Sequence, residues 1–286
     1  MIITQTPFRM SFFGGGTDME SFFTKHGGAV LSTTFDKYCY VNVRHLPRFF
    51  DYSTELSYSR TERVTNIQDI EHPAIRNAMQ MLNMQEIRLT YEADLPARSG
   101  LGTSSSFAVG MLSAFYALKG KYASKKQLAD EAIYLERVLC DEAGGWQDQI
   151  AASYGGFNRI NFNTDGTYDV LPVIISPERK KKLNDNLMMF FTGFTRFSSD
   201  VQKANSSTLE TQAEKENRLL EMLSLVDQAE NILTNKSVDL DEFGKLLDHT
   251  WKLKRQTGSA VSTNNIDELY ARGMAAGALG GKLLGA

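Results

Sequence analysis

The chain has 286 residues, 42% of them apolar and 23% charged, with a formal net charge of −3. That composition is globular, neither disordered nor fibrous, and the length is comfortable for two lobes. A protein built to neutralise a phosphate backbone carries a basic surplus, so nucleic-acid binding is disfavoured, whereas a small anionic substrate needs only a local basic pocket. The two cysteines, Cys39 and Cys140, sit in no C-x-x-C or Cys/His cluster and read as reduced thiols. The first residues lack a charged n-region followed by a long apolar stretch, and no apolar run is long enough to span a bilayer. These features predict a cytoplasmic protein with no membrane partner.

Along the chain, a strand at the N-terminus leads into a glycine loop, and a helix is predicted over Thr17 to Lys25. Residues 29–35 and 38–46, rich in β-branched and aromatic side chains, read as two strands. A helix is expected at about 73–83. Ile87, Leu89, Tyr91 and Ala93 alternate with polar residues, the pattern of a half-buried strand. From Ser104 onward helices take over. Leu128, Ala132, Leu135 and Leu139 form a helical stripe. Strands are expected again at 157–162 and 187–192. Four helices are expected between about 197 and 277, the strongest marked by Leu219, Leu220, Leu223, Val226 and Leu233. Strands first and helices later predict an α+β protein with two lobes, residues 1–160 and 161–286. The closing GALGGKLLGA reads as a glycine turn opening an apolar extended segment, and the natural chain is expected to continue.

The most informative stretch is Pro96 to Ser106, PARSGLGTSSS, ahead of an apolar helix. Gly100 and Gly102 let the backbone turn tightly and approach a ligand. Helix N-termini present unpaired N–H groups and partial positive charge, and therefore bind phosphate. Thr103, Ser104, Ser105 and Ser106 add hydroxyls, one of which can ligate Mg²⁺. A glycine turn with one Ser/Thr cap is the bland alternative, but a cap needs one hydroxyl rather than four. The loop has no Gly-Lys-Ser/Thr ending and is not a Walker A sequence.

A second glycine loop, Pro7 to Asp18, joins the first strand to the first helix. Thr17 or Asp18 could cap that helix; alternatively Asp18 accepts hydrogen bonds from sugar hydroxyls, with Arg9 near a transferring phosphoryl group. Glu136 falls at the edge of the buried face of the 128–139 stripe, where a surface glutamate is the ordinary alternative. Asp148 follows a double glycine and stands near a helix N-terminus, where a capping role is the bland reading. Beside a phosphate loop, one carboxylate for Mg²⁺ and one for an acceptor hydroxyl are what phosphoryl transfer needs.

Together these segments resemble the GHMP kinase family. Pro96 to Ser106 is similar to that family's second motif, with Thr103 in place of its first serine. Pro7, Arg9 and Asp18 are similar to its first motif. Glu136 and Asp148 stand where the family has its magnesium glutamate and catalytic aspartate. Of the third motif, a glycine-rich loop, only Gly280, Gly281 and Gly285-Ala286 are present. Within the family, FFGGGTD, GGWQDQIAASYGGFN and TGFTR look most like heptose 7-phosphate kinases, and GGWQDQ is also similar to L-fucose kinases.

The resemblance implies an N-terminal lobe with a left-handed βαβ unit, a ferredoxin-like C-terminal lobe, and ATP with Mg²⁺ as cofactors. It implies that Gly100, Leu101, Gly102, Thr103, Ser104, Ser105 and Ser106 surround the ATP phosphates, and that Ser104 and Glu136 hold Mg²⁺. Asp148 would take the proton of an anomeric hydroxyl and Arg9 would offset developing charge. Gly14, Gly15, Gly16, Thr17 and Asp18 would contact the sugar, and Arg98 or Arg196 a substrate phosphate. The expected partner is a sugar or sugar phosphate, and a homodimer is compatible with the sequence. A non-catalytic sugar sensor on the same scaffold predicts loss of the acid pair or the hydroxyl run, and both are present.

Overall fold

A computed structural model describes residues 1–97, 99–193, 211–256 and 261–285. Packing divides the chain into two units that interleave in sequence: Met1–Arg9 with Thr34–Gly155, and Met10–Thr33 with Gly156–Ala286. Strands β1 (Ile2–Phe13) and β2 (Gly28–His45) each contribute residues to both.

In the first unit, β2 pairs antiparallel with β5 (Ile87–Ala93), Cys39 opposite Ala93 and His45 opposite Ile87. β5 pairs parallel with β3 (Thr54–Ser57), Leu56 opposite Leu89, and β3 forms a hairpin with β4 (Thr61–Val64). A parallel pair needs a long crossover; here it contains α2 (Pro73–Met81), whose Ile75, Ala78 and Met79 are buried. The sheet is mixed and helices pack with it, an α+β arrangement.

Helix α3 (Thr103–Leu118) is apolar on nearly every side and is the unit's central helix. It lies close to β1: a Cβ on Gly110 would fall 2.7 Å from Thr6 Oγ1, and Thr4 Oγ1 donates to Gly110 O at 2.9 Å. This approach brings the start of α3 beside Pro7 and Arg9. Helix α4 (Lys125–Ile133) and α5 (Gln147–Tyr154) complete the unit.

In the second unit, α1 (Glu20–His26) follows the glycine loop, and β2 pairs with β6 (Phe157–Phe162), which pairs with β7 (Tyr168–Pro172). Helices α6 (Pro177–Asp185), α7 (Gln212–Thr234), α8 (Asp241–Arg255) and α9 (Asn264–Ala275) follow. Phe12 and Phe13 both meet Phe243 edge-on, at 5.3 and 5.1 Å, within a core that includes Leu31, Val226 and Leu233. Such aromatic pairs add to the burial of apolar area that holds the core. Thr211 and Glu214 form a capping box on α7.

Several expectations change. The strands expected at 29–35 and 38–46 are one strand, with the exposed Asp36 tolerated on its outer side. The first helix begins at Glu20, because the glycine loop occupies residues up to 19. Residues 187–192 form no strand, and Met188 and Phe190 are exposed. Residues 278–285 are irregular rather than extended in a strand. Three helices are described between 211 and 277; 197–210 lie outside the described residues. Leu220, placed on the buried stripe of α7, faces outward.

Candidate active site

The Gly100–Ser106 loop takes the backbone its glycines allow. Gly100 and Gly102 have φ of 76° and 72°, in the left-handed region. Gly102 is the N-cap of α3, and no side chain caps the helix. The single Ser/Thr cap weighed above is therefore not what the hydroxyls provide. Ser104 Oγ donates to Glu136 Oε1 at 2.6 Å, Ser105 Oγ to Glu136 Oε2 at 2.7 Å, and Ser106 Oγ to Pro7 O at 2.8 Å. An uncapped N-terminus keeps its N–H groups and positive dipole end for an anion. The side chains of Leu101, Thr103 and Ser106 are buried, which leaves their backbone N–H groups as what they could offer a ligand; the Ser106 hydroxyl ties α3 to β1.

Arg9 and Asp148 meet against this loop. Arg9 Nε donates to Asp148 Oδ1 at 2.7 Å and Nη2 to Oδ2 at 2.8 Å, a bidentate pair. Arg9 Nη1 donates to Gly100 O at 2.7 Å, and the Arg9 backbone N–H to Leu101 O at 3.1 Å. A Cβ on Gly102 would stand 3.2 Å from Arg9 Cγ and 3.4 Å from Asp148 Oδ2. Only glycine combines that proximity with that φ. Asp148 occupies the first turn of α5, as its spacing from the double glycine predicts, but its carboxylate is turned to Arg9.

Glu136 is 2% exposed, not a surface glutamate. It lies on a six-residue π-helical turn, Tyr134–Leu139, that continues α4. The Cys140 N–H reaches back five residues to Leu135 O at 2.9 Å. Such widened turns change the phase of the faces and recur at functional sites; here Leu135 and Glu136 are both buried. Gln149 Nε2 is a third donor to Glu136, on Oε2. Arg137, from the same turn, donates to the carbonyls of Glu142 and Ala143 at 3.0 and 3.1 Å. Its guanidinium would lie 2.9 Å from a Cβ on Gly144, so it clamps the loop entering α5. Burial, with the nearby Glu136 charge, raises the Glu142 carboxyl above its ordinary range.

The other glycine loop belongs to the second unit. Gly14 has φ 83° and a Cβ there would fall 1.9 Å from Ala29 O, so this glycine is demanded by packing. Thr17 is fully buried and its hydroxyl bonds Gly14 O and Ala29 O at 2.8 and 2.9 Å, which shapes the loop. Asp18 does not cap α1, whose N-cap is Met19; its Oδ1 accepts the Gly16 N–H at 2.9 Å. Arg98 and Arg196 lie outside the described residues.

No group of three or more His, Cys, Asp or Glu side chains positioned to hold a metal occurs among the described residues. Mg²⁺ needs no such cage; it is held by one or two protein oxygens plus substrate phosphates and water. A buried carboxylate that, among the described residues, is bonded by neutral donors, next to the exposed Ser104 hydroxyl, fits that demand.

Residues 62–156, which include the loop, Glu136 and Asp148, match the N-terminal domain of GHMP kinases. Over these residues the chain carries a GHMP kinase N-terminal domain. It is 28% identical to the D-glycero-alpha-D-manno-heptose 7-phosphate kinase of Campylobacter jejuni, over 100% of this chain and 86% of that protein. It is 27% identical to the bifunctional fucokinase/GDP-fucose pyrophosphorylase of Arabidopsis thaliana, over 62% of this chain and 17% of that protein. The fold is shared with a D-glycero-D-manno-heptose 1-phosphate kinase from Bacteroides thetaiotaomicron, with a TM-score of 0.78, 23% identity and coverage of 100% and 86% of the two chains. These likenesses support a kinase that transfers phosphate to a sugar hydroxyl; GHMP kinases use ATP as the phosphate donor. No described helix is long and apolar enough to cross a membrane. Two residues of this arrangement were not singled out in the sequence: Gln149, whose signal is a polar residue opening the apolar Ile150-Ala151-Ala152, and Arg137, which had none.

Proposed function

We propose that the chain phosphorylates the anomeric C1 hydroxyl of D-glycero-D-manno-heptose 7-phosphate, giving the 1,7-bisphosphate, with Mg·ATP as donor. The observation that carries this reading is likeness along the whole chain to the Campylobacter jejuni heptose 7-phosphate kinase. The site chemistry agrees with it. The uncapped start of α3 receives phosphate oxygens on backbone N–H groups. Ser104 and Glu136 would hold Mg²⁺, which when bound would supply charge neutralisation for the phosphoryl group. Asp148, steered by Arg9, accepts the proton of the C1 hydroxyl as the new bond forms. Arg9 spreads positive charge over the same region. The Gly14–Asp18 loop contacts the sugar, and Arg98 or Arg196 receives its 7-phosphate. The enzyme works in the cytoplasm, in the activation of heptose for surface polysaccharide.

The partial likeness to a fucokinase favours L-fucose as the second reading. Comparing kcat/KM for heptose 7-phosphate, unphosphorylated heptose, L-fucose and galactose separates the two. The proposal expects heptose 7-phosphate to lead; a lead for L-fucose would overturn it.

A further inference from the structure

Gln149 is fully buried, follows Asp148 directly, and spends its amide on Glu136. A carboxylate oxygen offers no hydrogen of its own when ionised, so the amide must face it with Nε2. Gln149 Oε1 is then turned away, and among the described residues it is buried with no hydrogen-bond partner. A buried orphan acceptor is costly, so this rotamer is held by its bond to Glu136 and not by general satisfaction of the amide.

The two oxygens of Glu136 are unequal as a result. Oε2 accepts from two buried donors, Ser105 Oγ and Gln149 Nε2, which fills its two lone-pair directions. Among the described residues Oε1 accepts only from Ser104 Oγ, and Ser104 is exposed. We infer that Gln149 is a positioning residue for the divalent cation: it occupies Glu136 Oε2 so that Oε1, beside the Ser104 hydroxyl, is the single oxygen presented to the metal. Because Asp148 and Gln149 are consecutive in the first turns of α5, one helix sets both the proton acceptor and the orientation of the metal's carboxylate. This rests on the proposed role of Glu136 as metal ligand. Groups that orient a ligand from behind commonly change metal affinity about 10–100-fold when removed.

The test uses Mn²⁺ in place of Mg²⁺ and counts bound ion by electron paramagnetic resonance in the presence of ADP, with the whole chain and no turnover. The variants are Gln149→Met, which keeps length and apolar packing but has no donor, and Gln149→Asn, which keeps the amide but is one methylene short of Glu136. Both are expected to bind Mn²⁺ about tenfold more weakly, with metal-free ADP affinity unchanged. Glu136→Gln is measured alongside. If it loses Mn²⁺ binding while both Gln149 variants bind as wild type does, the positioning role is overturned and the metal role of Glu136 stands. If Glu136→Gln itself binds Mn²⁺ normally, the metal role falls and the role of Gln149 with it.

Discussion

Asp148→Asn removes one charge from a pair whose geometry sets the size of the effect. Asp148 accepts two charge-assisted bonds from Arg9, at 2.7 and 2.8 Å. Asparagine keeps one acceptor and turns an NH₂ group towards the other Arg9 donor. At the sequence level this swap looks harmless, since asparagine ranks beside aspartate as a helix cap. Against a buried guanidinium it is not. Breaking a buried pair costs about 3–5 kcal/mol. The Asp148 side chain is 24% exposed, so water recovers part of that and about 1–3 kcal/mol remains. Thermal unfolding should move down by roughly 2–4 °C for each kcal/mol. At 25 °C such a variant stays folded, so stability alone leaves turnover near its wild-type value. Loss of the proton acceptor instead lowers kcat by about 10²–10⁴-fold. Melting temperature, kcat and ADP affinity are measured on the same preparation. A lowered melting temperature with near-normal kcat would refute the catalytic role and leave Asp148 as the structural partner of Arg9.

Two further variants probe the surroundings. Gly102→Ala places a side chain at φ 72°, a left-handed conformation costing about 1–2 kcal/mol, with its Cβ 3.2 Å from Arg9 and 3.4 Å from Asp148; kcat should fall further than the melting temperature accounts for, and equal, small losses in both would contradict a tight loop–pair contact. His72 has its pKa lowered from 6.5, chiefly by burial, and packs on Tyr58 and Phe107. Since the unfolded chain takes up the proton first, stability is lost as pH falls from about 6.5 towards the folded value. Wild type should therefore lose melting temperature across that window relative to His72→Phe, and parallel curves would show that the ring titrates alike in both states.

Much of the site was legible because its chemistry is local. The two glycines and four hydroxyl residues of Gly100–Ser106 sit in one stretch, and the strand Ile87–Ala93 carries its alternation on its face. Glu136 and Asp148 were legible as acids of the right kind but not in their surroundings. A stripe read at 3.6 residues per turn cannot show that the helix widens at Tyr134–Leu139 and carries Glu136 fully inside. Nor can spacing show that Arg9, 139 positions away, takes both oxygens of Asp148. Spacing also does not show that the Thr17 hydroxyl closes its glycine loop on Gly14 and Ala29. The strand expected at 187–192 does not form, and apolar residues there stay exposed without a pairing partner among the described residues.

The central claim is transfer of the ATP γ-phosphoryl group to C1 of a heptose 7-phosphate, and phosphorus NMR of the product tests it most directly. Incubating the chain with Mg·ATP and D-glycero-D-manno-heptose 7-phosphate should yield ADP and a sugar with two phosphate signals, the new one coupled to the anomeric proton. ATP consumed without that coupling, or a second phosphate on any other carbon, would contradict the account.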